Sequence, residues 1–284
     1  MPGAELHSVR RLGGDYPPGW VLLLSPRPPE RLVVFVHGFR GSALESWRQF
    51  PESGAEGRWW LSSDMLFVGY DSFNDSITGV AARLRRELRR LYPRLPEDLV
   101  ELNGARARPG PPPAYGELFL VGHSLGGLIV RRALCDAAQD WRNAKEGDPA
   151  AARPAILDAK TRLFSPASAG FRAAGWLGAI RASQVWGAAS LFLSRSSFYT
   201  DLQPGSPFLA ETRRRTEELV ASDRQAFEAL RAWIVWANPD NVVVAERYDT
   251  DWVDEAVEHQ THRSVCKPTS GYRTPWRFVE EGAP

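Results

Sequence analysis

The residues Gly122-His123-Ser124-Leu125-Gly126 place a hydroxyl between two glycines, where an apolar run meets a helical pattern. Leu118–Gly122 reads as a buried strand, and a helix is expected from about Leu125 to Ala138. A serine in G-x-S-x-G at a strand–turn–helix junction sits on a strained bend with its hydroxyl pushed outward. Side chains at the flanks of such a bend would clash, which accounts for Gly122 and Gly126. The new helix aims backbone N–H groups and the positive end of its dipole at the same spot. The chemistry this suits is nucleophilic attack on an acyl carbonyl. The bland alternative is a serine that only caps the helix. His123 is adjacent in sequence and should point away from Ser124, as a packing or supporting residue.

A serine hydroxyl attacks only when a base takes its proton, and a carboxylate must hold that base in the right tautomer. Two histidines follow Ser124, His259 and His262. The carboxylates in reach of the same role are Asp240, in the turn NPDN after the apolar run AWIVWA, and Asp249, Asp251 and Asp254 in RYDTDWVDE. The latter stretch reads as a solvated acidic loop. It lacks the spacing and glycine of a calcium loop, so no metal is expected. His37-Gly38-Phe39 closes a second apolar run and, taken alone, is a plain strand-to-loop turn.

These groups need a scaffold. Strands are expected at Trp20–Leu24 (an edge), Leu32–Val36, Met65–Tyr70, Leu118–Gly122, Thr161–Phe164 and Trp233–Trp236. Helices are expected over 76–92, where Ile77, Val80, Leu84, Leu88 and Leu91 form one stripe, and over 211–233. The Pro-rich segment 93–115 reads as a loop, and so does the tail after 237. Alternating strands and helices argue for a parallel sheet with right-handed crossovers and helices on both faces.

The 284-residue chain carries a net charge of +1, which gives no footprint for nucleic acid or an anionic membrane. Two cysteines exclude a disulfide framework. The first twenty residues have no apolar core of a secretory signal, and no run of about 18 apolar residues exists. A cytoplasmic location and no membrane segment are the expectations. No cofactor is expected.

GHSLGG after a hydrophobic strand, with HGF at the tip of an earlier one, resembles lipases and serine esterases of the α/β-hydrolase fold, from about residue 31 onward. The resemblance implies an α/β-hydrolase fold: a mostly parallel central sheet, helices on both faces and a helical cap insertion. The whole chain, 1–284, would be one domain, with 165–210 as the cap. It implies the chain order Ser, acid, His. It also implies an oxyanion hole from the N–H groups of Phe39 and Leu125, with His37, Gly38, Gly122, His123 and Gly126 as supporting positions. Asp240-Asn-Val-Val resembles the family's D-x-V-V-P, with Val244 in place of the proline, and so marks Asp240 as the acid. His262-Arg-Ser-Val-Cys-Lys-Pro268 resembles H-x-x-[I/V]-C-K-P of a subgroup similar to inositol-deacylase-like hydrolases and mitochondrial serine-active-site proteins. It marks His262 as the base, followed by a helix beneath it, and leaves His259 a surface residue.

The segment 169–198 has aromatic and aliphatic residues at spacings suited to two amphipathic helices. As a cap it would favour a small-molecule or lipid ester substrate; the other reading is core helices packed on the sheet. Three functions stand: an ester hydrolase with a Ser124–His262–Asp240 triad, an acyltransferase using the same acyl-enzyme, and a non-catalytic interaction module on a hydrolase fold.

Overall fold

In the computed structural model, the described residues are 7–50, 59–72, 74–102, 105–172 and 200–281. Eight strands form one sheet: β1 (Ser8–Arg11), β2 (Val21–Leu24), β3 (Arg31–Val36), β4 (Ser63–Val68), β7 (Glu117–His123), β8 (Ala159–Phe164), β9 (Trp233–Asn238) and β10 (Val253–Glu258). A separate antiparallel pair, β5 (Glu101–Leu102) and β6 (Ala105–Arg106), lies in the Pro-rich segment. The sheet order is β1-β2-β4-β3-β7-β8-β9-β10. The pairings β1–β2 and β2–β4 are antiparallel, and all the others are parallel. From β3 the chain steps to β4 on one side and later to β7 on the other. That reversal opens a crevice at the carboxyl ends of β3 and β7, where ligands of open α/β sheets bind.

The central strands β2, β3, β4 and β7 are buried almost throughout because both faces of the sheet are covered there. In β3, Leu32, Val34 and Val36 join a core with α1 (Ile77–Leu91), α2 (Leu125–Gly147) and α3 (Pro207–Ser222). Val33 and Phe35 face the other core, built from Trp47, Phe50, Trp59 and Trp60 and from Trp276, Phe278 and Val279 of α4 (Thr274–Glu281). Each such large side chain contributes about 1.5–3 kcal/mol of burial. The tryptophans around residues 47–60 therefore plate the sheet.

Local chemistry sets the helix ends. Ser76 caps α1 through its side chain, which accepts from Gly79 N–H at 3.0 Å. At the other end, Pro93 forces Tyr92 out of the helical region. Helix α3 begins with the cap Ser206 and Pro207 in its first turn.

Several expectations need correction. Val21–Leu24 is no edge, since β1 pairs outside it. The helix expected over 211–233 ends at Ser222, because the Asp223 carboxylate accepts from Ala226 N–H (2.9 Å) and turns the chain. The tail is not all loop: it holds β10 and α4. The Pro-rich loop is anchored, with both Arg108 terminal nitrogens on Asp64 at 2.8 Å and the Tyr115 hydroxyl on the same carboxylate at 2.6 Å. Of the expected cap, residues 173–199 lie outside the described residues. Among the described residues no helix is long and apolar enough to cross a membrane.

Candidate active site

Four loops at the carboxyl ends of β3, β7, β9 and β10 bring the candidate residues together. Ser124 follows β7 directly and has φ +55°, a left-handed conformation costly for a residue with a Cβ. The bend is pinned on two sides. Ser124 N–H donates to Phe164 O (3.0 Å), and its carbonyl accepts from Gly127 and Ala167 N–H, each at 3.0 Å. The flanking glycines are needed for close approach. A Cβ on Gly126 would lie 2.1 Å from Val36 O, and one on Gly122 would lie 2.6 Å from Gly127 Cα. A capping serine would accept from an amide of the first helical turn, and the Ser124 side chain makes no such bond.

Instead the Ser124 hydroxyl donates to His262 Nε2 at 2.9 Å. On the far side of the ring, His262 Nδ1 lies 2.9 Å from Asp240 Oδ2. An ionised carboxylate only accepts, so Nδ1 carries the proton and Nε2 presents its lone pair to Ser124. Asp240 owes its aim to the D-x-V-V spacing. Its other oxygen, Oδ1, accepts from Val242 N–H (2.9 Å) and Val243 N–H (3.1 Å), which fixes the carboxylate and leaves Oδ2 for the histidine. Asp240 and His262 are both buried. His259 is exposed at the end of β10 and outside this group, and Asp249 and Asp254 also lie elsewhere. The residues after His262 form turns down to Cys266, not the expected helix. The Pro268 end of the motif instead leads through a further turn into α4.

Burial raises the Asp240 pKa, but the hydrogen bond and charge of His262 and the amides of Val243 and Val242 more than offset this, so it lies below the usual carboxylate range. A folded pKa below the unfolded one (about 3.9) adds stability above that value, which is lost as pH falls through the folded pKa. Asp240→Asn, which keeps the amide contacts, is therefore expected to lower urea-unfolding stability at pH 7. The gap to wild type should narrow as pH falls below about 4. A gap that stays constant with pH would mean the loss is not ionic.

His123 is second in line. Its Nε2 lies 2.7 Å from the His262 carbonyl, which can only accept, so Nε2 carries the proton. Burial, then the neighbouring His262, push its pKa down to about 3. It stays neutral and is bonded to the His262 backbone.

His37, buried and with its pKa lowered to about 4 by burial, donates from Nδ1 to Gly38 O at 2.8 Å. Tyr70 was not legible in the sequence as a site residue. Its ring stacks on His37 with centroids 4.2 Å apart, and its hydroxyl donates to His37 O at 2.7 Å. The turn it braces lies against the serine: a Cβ on Gly38 would sit 2.9 Å from Ser124 Cβ.

A family model described as the alpha/beta hydrolase family matches residues 33–281. The chain belongs to the alpha/beta hydrolase family. No curated protein sequence matches this α/β hydrolase. Among solved structures it is similar to the Bacillus licheniformis lipase BlEst2 (17% identity, 91% of this chain and 96% of the other covered, TM-score 0.47). It is also similar to the peroxisomal α/β-hydrolase Lpx1 of Saccharomyces cerevisiae (12% identity, 92% and 81% covered, TM-score 0.48). A third is the type II thioesterase YbtT of yersiniabactin biosynthesis (14% identity, 94% and 100% covered, TM-score 0.45). These likenesses concern the fold alone. They do not reach the inositol-deacylase-like subgroup that the HRSVCKP string resembles.

Ser124 and His262 open into a cleft of about 1270 Å³. Its described walls include Phe39, Phe171, Pro239 and Val242, with cationic side chains among them. Among the described residues no group of three or more His, Cys, Asp or Glu side chains could hold a metal ion.

Proposed function

We propose that this α/β hydrolase cleaves carboxylic esters through an acyl-enzyme on Ser124. One observation carries the reading: the continuous line from Ser124 Oγ through His262 to Asp240, with both links at 2.9 Å. Nothing in folding demands a positive-φ serine, a buried histidine and a buried carboxylate in that order, whereas acyl transfer does.

In this mechanism His262 Nε2 takes the hydroxyl proton as Ser124 Oγ bonds to the ester carbonyl carbon. The carbonyl oxygen becomes negative and is held by the N–H groups of Phe39 and Leu125. Leu125 is the first residue of α2, so its N–H has no acceptor one turn back in its own helix. The protonated His262, steadied by ionised Asp240, then gives its proton to the departing alkoxide as the carbon–oxygen bond breaks. Water, deprotonated by the same His262, releases the acid and restores the serine. Losing one oxyanion donor typically costs about 3–4 kcal/mol of barrier.

A fluorophosphonate probe tests the nucleophile. Wild type is expected to label stoichiometrically at Ser124 and Ser124→Ala not at all, with kcat on p-nitrophenyl esters falling about 10⁶-fold. Equal labelling of the two proteins, or no labelling of wild type, sinks the reading.

A further inference from the structure

Among the described residues, four cationic side chains from three different loops line the cleft that holds Ser124. Arg40 follows the turn after β3, Arg172 follows β8, and Arg263 and Lys267 flank the turns after His262. Among the described lining residues Glu45 is the one carboxylate, so these five groups carry a net charge of +3. The whole chain carries +1. The arginines are exposed and Lys267 is half-buried, so they form the rim, while Phe39, Phe171 and Val242 lie inward.

Backbone contacts hold two of the carriers in place. Arg40 N–H donates to Ser72 Oγ at 2.9 Å, and Arg172 Nε donates to Val243 O at 3.0 Å. Val243 is also an amide donor to Asp240, which ties the Arg172 guanidinium to the loop of the catalytic acid. Of the four, Lys267 stands near enough to His123 to add a little to the lowering of its pKa, which burial and then His262 dominate. Arg263 and Lys267 make no ion pair with a described carboxylate, whereas Arg108 and Arg131 elsewhere each set both terminal nitrogens on one carboxylate. A cleft with low-dielectric walls and charges of one sign focuses its field and concentrates ligands of the opposite sign.

We propose that the substrate is an anionic ester, with its carbonyl at Ser124, its apolar part against Phe39, Phe171 and Val242, and a carboxylate or phosphate at the Arg40–Arg172–Arg263–Lys267 rim. This rests on the hydrolase reading above and adds the charge class of the substrate. Guanidinium groups suit such a ligand because their planar forks match carboxylate and phosphate oxygens.

Matched esters test it on Ser124→Ala, where binding is read without turnover. One pair differs on the acyl side: p-nitrophenyl hydrogen adipate against p-nitrophenyl hexanoate. The other differs on the alcohol side: the monobutyrate of glycerol 3-phosphate against glycerol monobutyrate. In at least one pair the anionic member is expected to bind at least tenfold more tightly at low salt, and the pair identifies which side carries the charge. The preference should shrink at 0.5 M NaCl and fall at least fivefold in Arg263→Gln/Lys267→Gln. Equal or weaker binding of the anionic member in both pairs overturns the proposal. So does a preference untouched by the double substitution. If the anionic ester binds preferentially but wild type neither turns it over nor labels with the fluorophosphonate, the hydrolase reading fails and the anion site stands.

Discussion

His262→Ala is expected to lower kcat on a p-nitrophenyl ester by about 10⁴- to 10⁶-fold, while His259→Ala stays within about twofold of wild type. The asymmetry follows from position. His262 Nε2 is 2.9 Å from Ser124 Oγ, and its other nitrogen is oriented by a carboxylate that two amides hold still. His259, three residues earlier, is exposed at a positive φ of 62° where β10 ends. Single-turnover acylation measures the step directly, since it isolates the proton transfer from product release. Loss of acylation in His259→Ala with retention in His262→Ala would overturn the assignment of the base.

The second large effect is on stability. Asp251 is buried with both oxygens committed. It takes Arg131 at 3.0 and 2.6 Å, Ala232 N–H at 3.0 Å and Tyr248 N–H at 2.8 Å. Arg131 lies on α2 with its guanidinium 4.0 Å from the Tyr248 ring centroid. Asp251→Ala orphans a buried cation and two buried amides together, so it should cost about 3–5 kcal/mol. For a chain of this size that is roughly a 6–15 °C fall in Tm. Arg131→Met on top of Asp251→Ala should recover part of the loss, because the unpaired charge is gone. Calorimetry on the single and double variants reads both. A single variant within 1 kcal/mol of wild type, or a double variant less stable than the single, would contradict the account.

Asp251 also marks where sequence reasoning stopped. In RYDTDWVDE it looks like any carboxylate of an acidic loop, since nothing local announces a partner 120 residues earlier on α2. The same holds for Asp64 and Arg108, which meet across 44 positions and turn a proline-rich loop into an anchored one. Tyr70 sits in a commonplace position after a strand, and only the fold lays it on His37. The bend at Ser124 was legible because its constraints are local: φ at Ser124 and clearance at Gly122 and Gly126 are written in five consecutive residues. Asp240 was marked by resemblance, through D-x-V-V after a strand, and the two amides that aim it lie two and three residues on in that same string. The parallel sheet could be read from strands apolar on both faces. The end of α3 could not, because the helical period runs on past the aspartate that turns the chain.

The spread of the site along the chain has a consequence for how the protein is made. Ser124 and its base stand 138 residues apart, on the loops after β7 and β10. Synthesis delivers the amino-terminal part first, at about 5–20 residues per second. On the proposed mechanism, for several seconds after the bend around Ser124 leaves the ribosome its base has not yet been made, and β10, last in chain order and at the edge of the sheet, is the strand that leads to it. On that mechanism a nascent or truncated chain carries an inert serine, and reactivity begins only when the far edge of the sheet has closed.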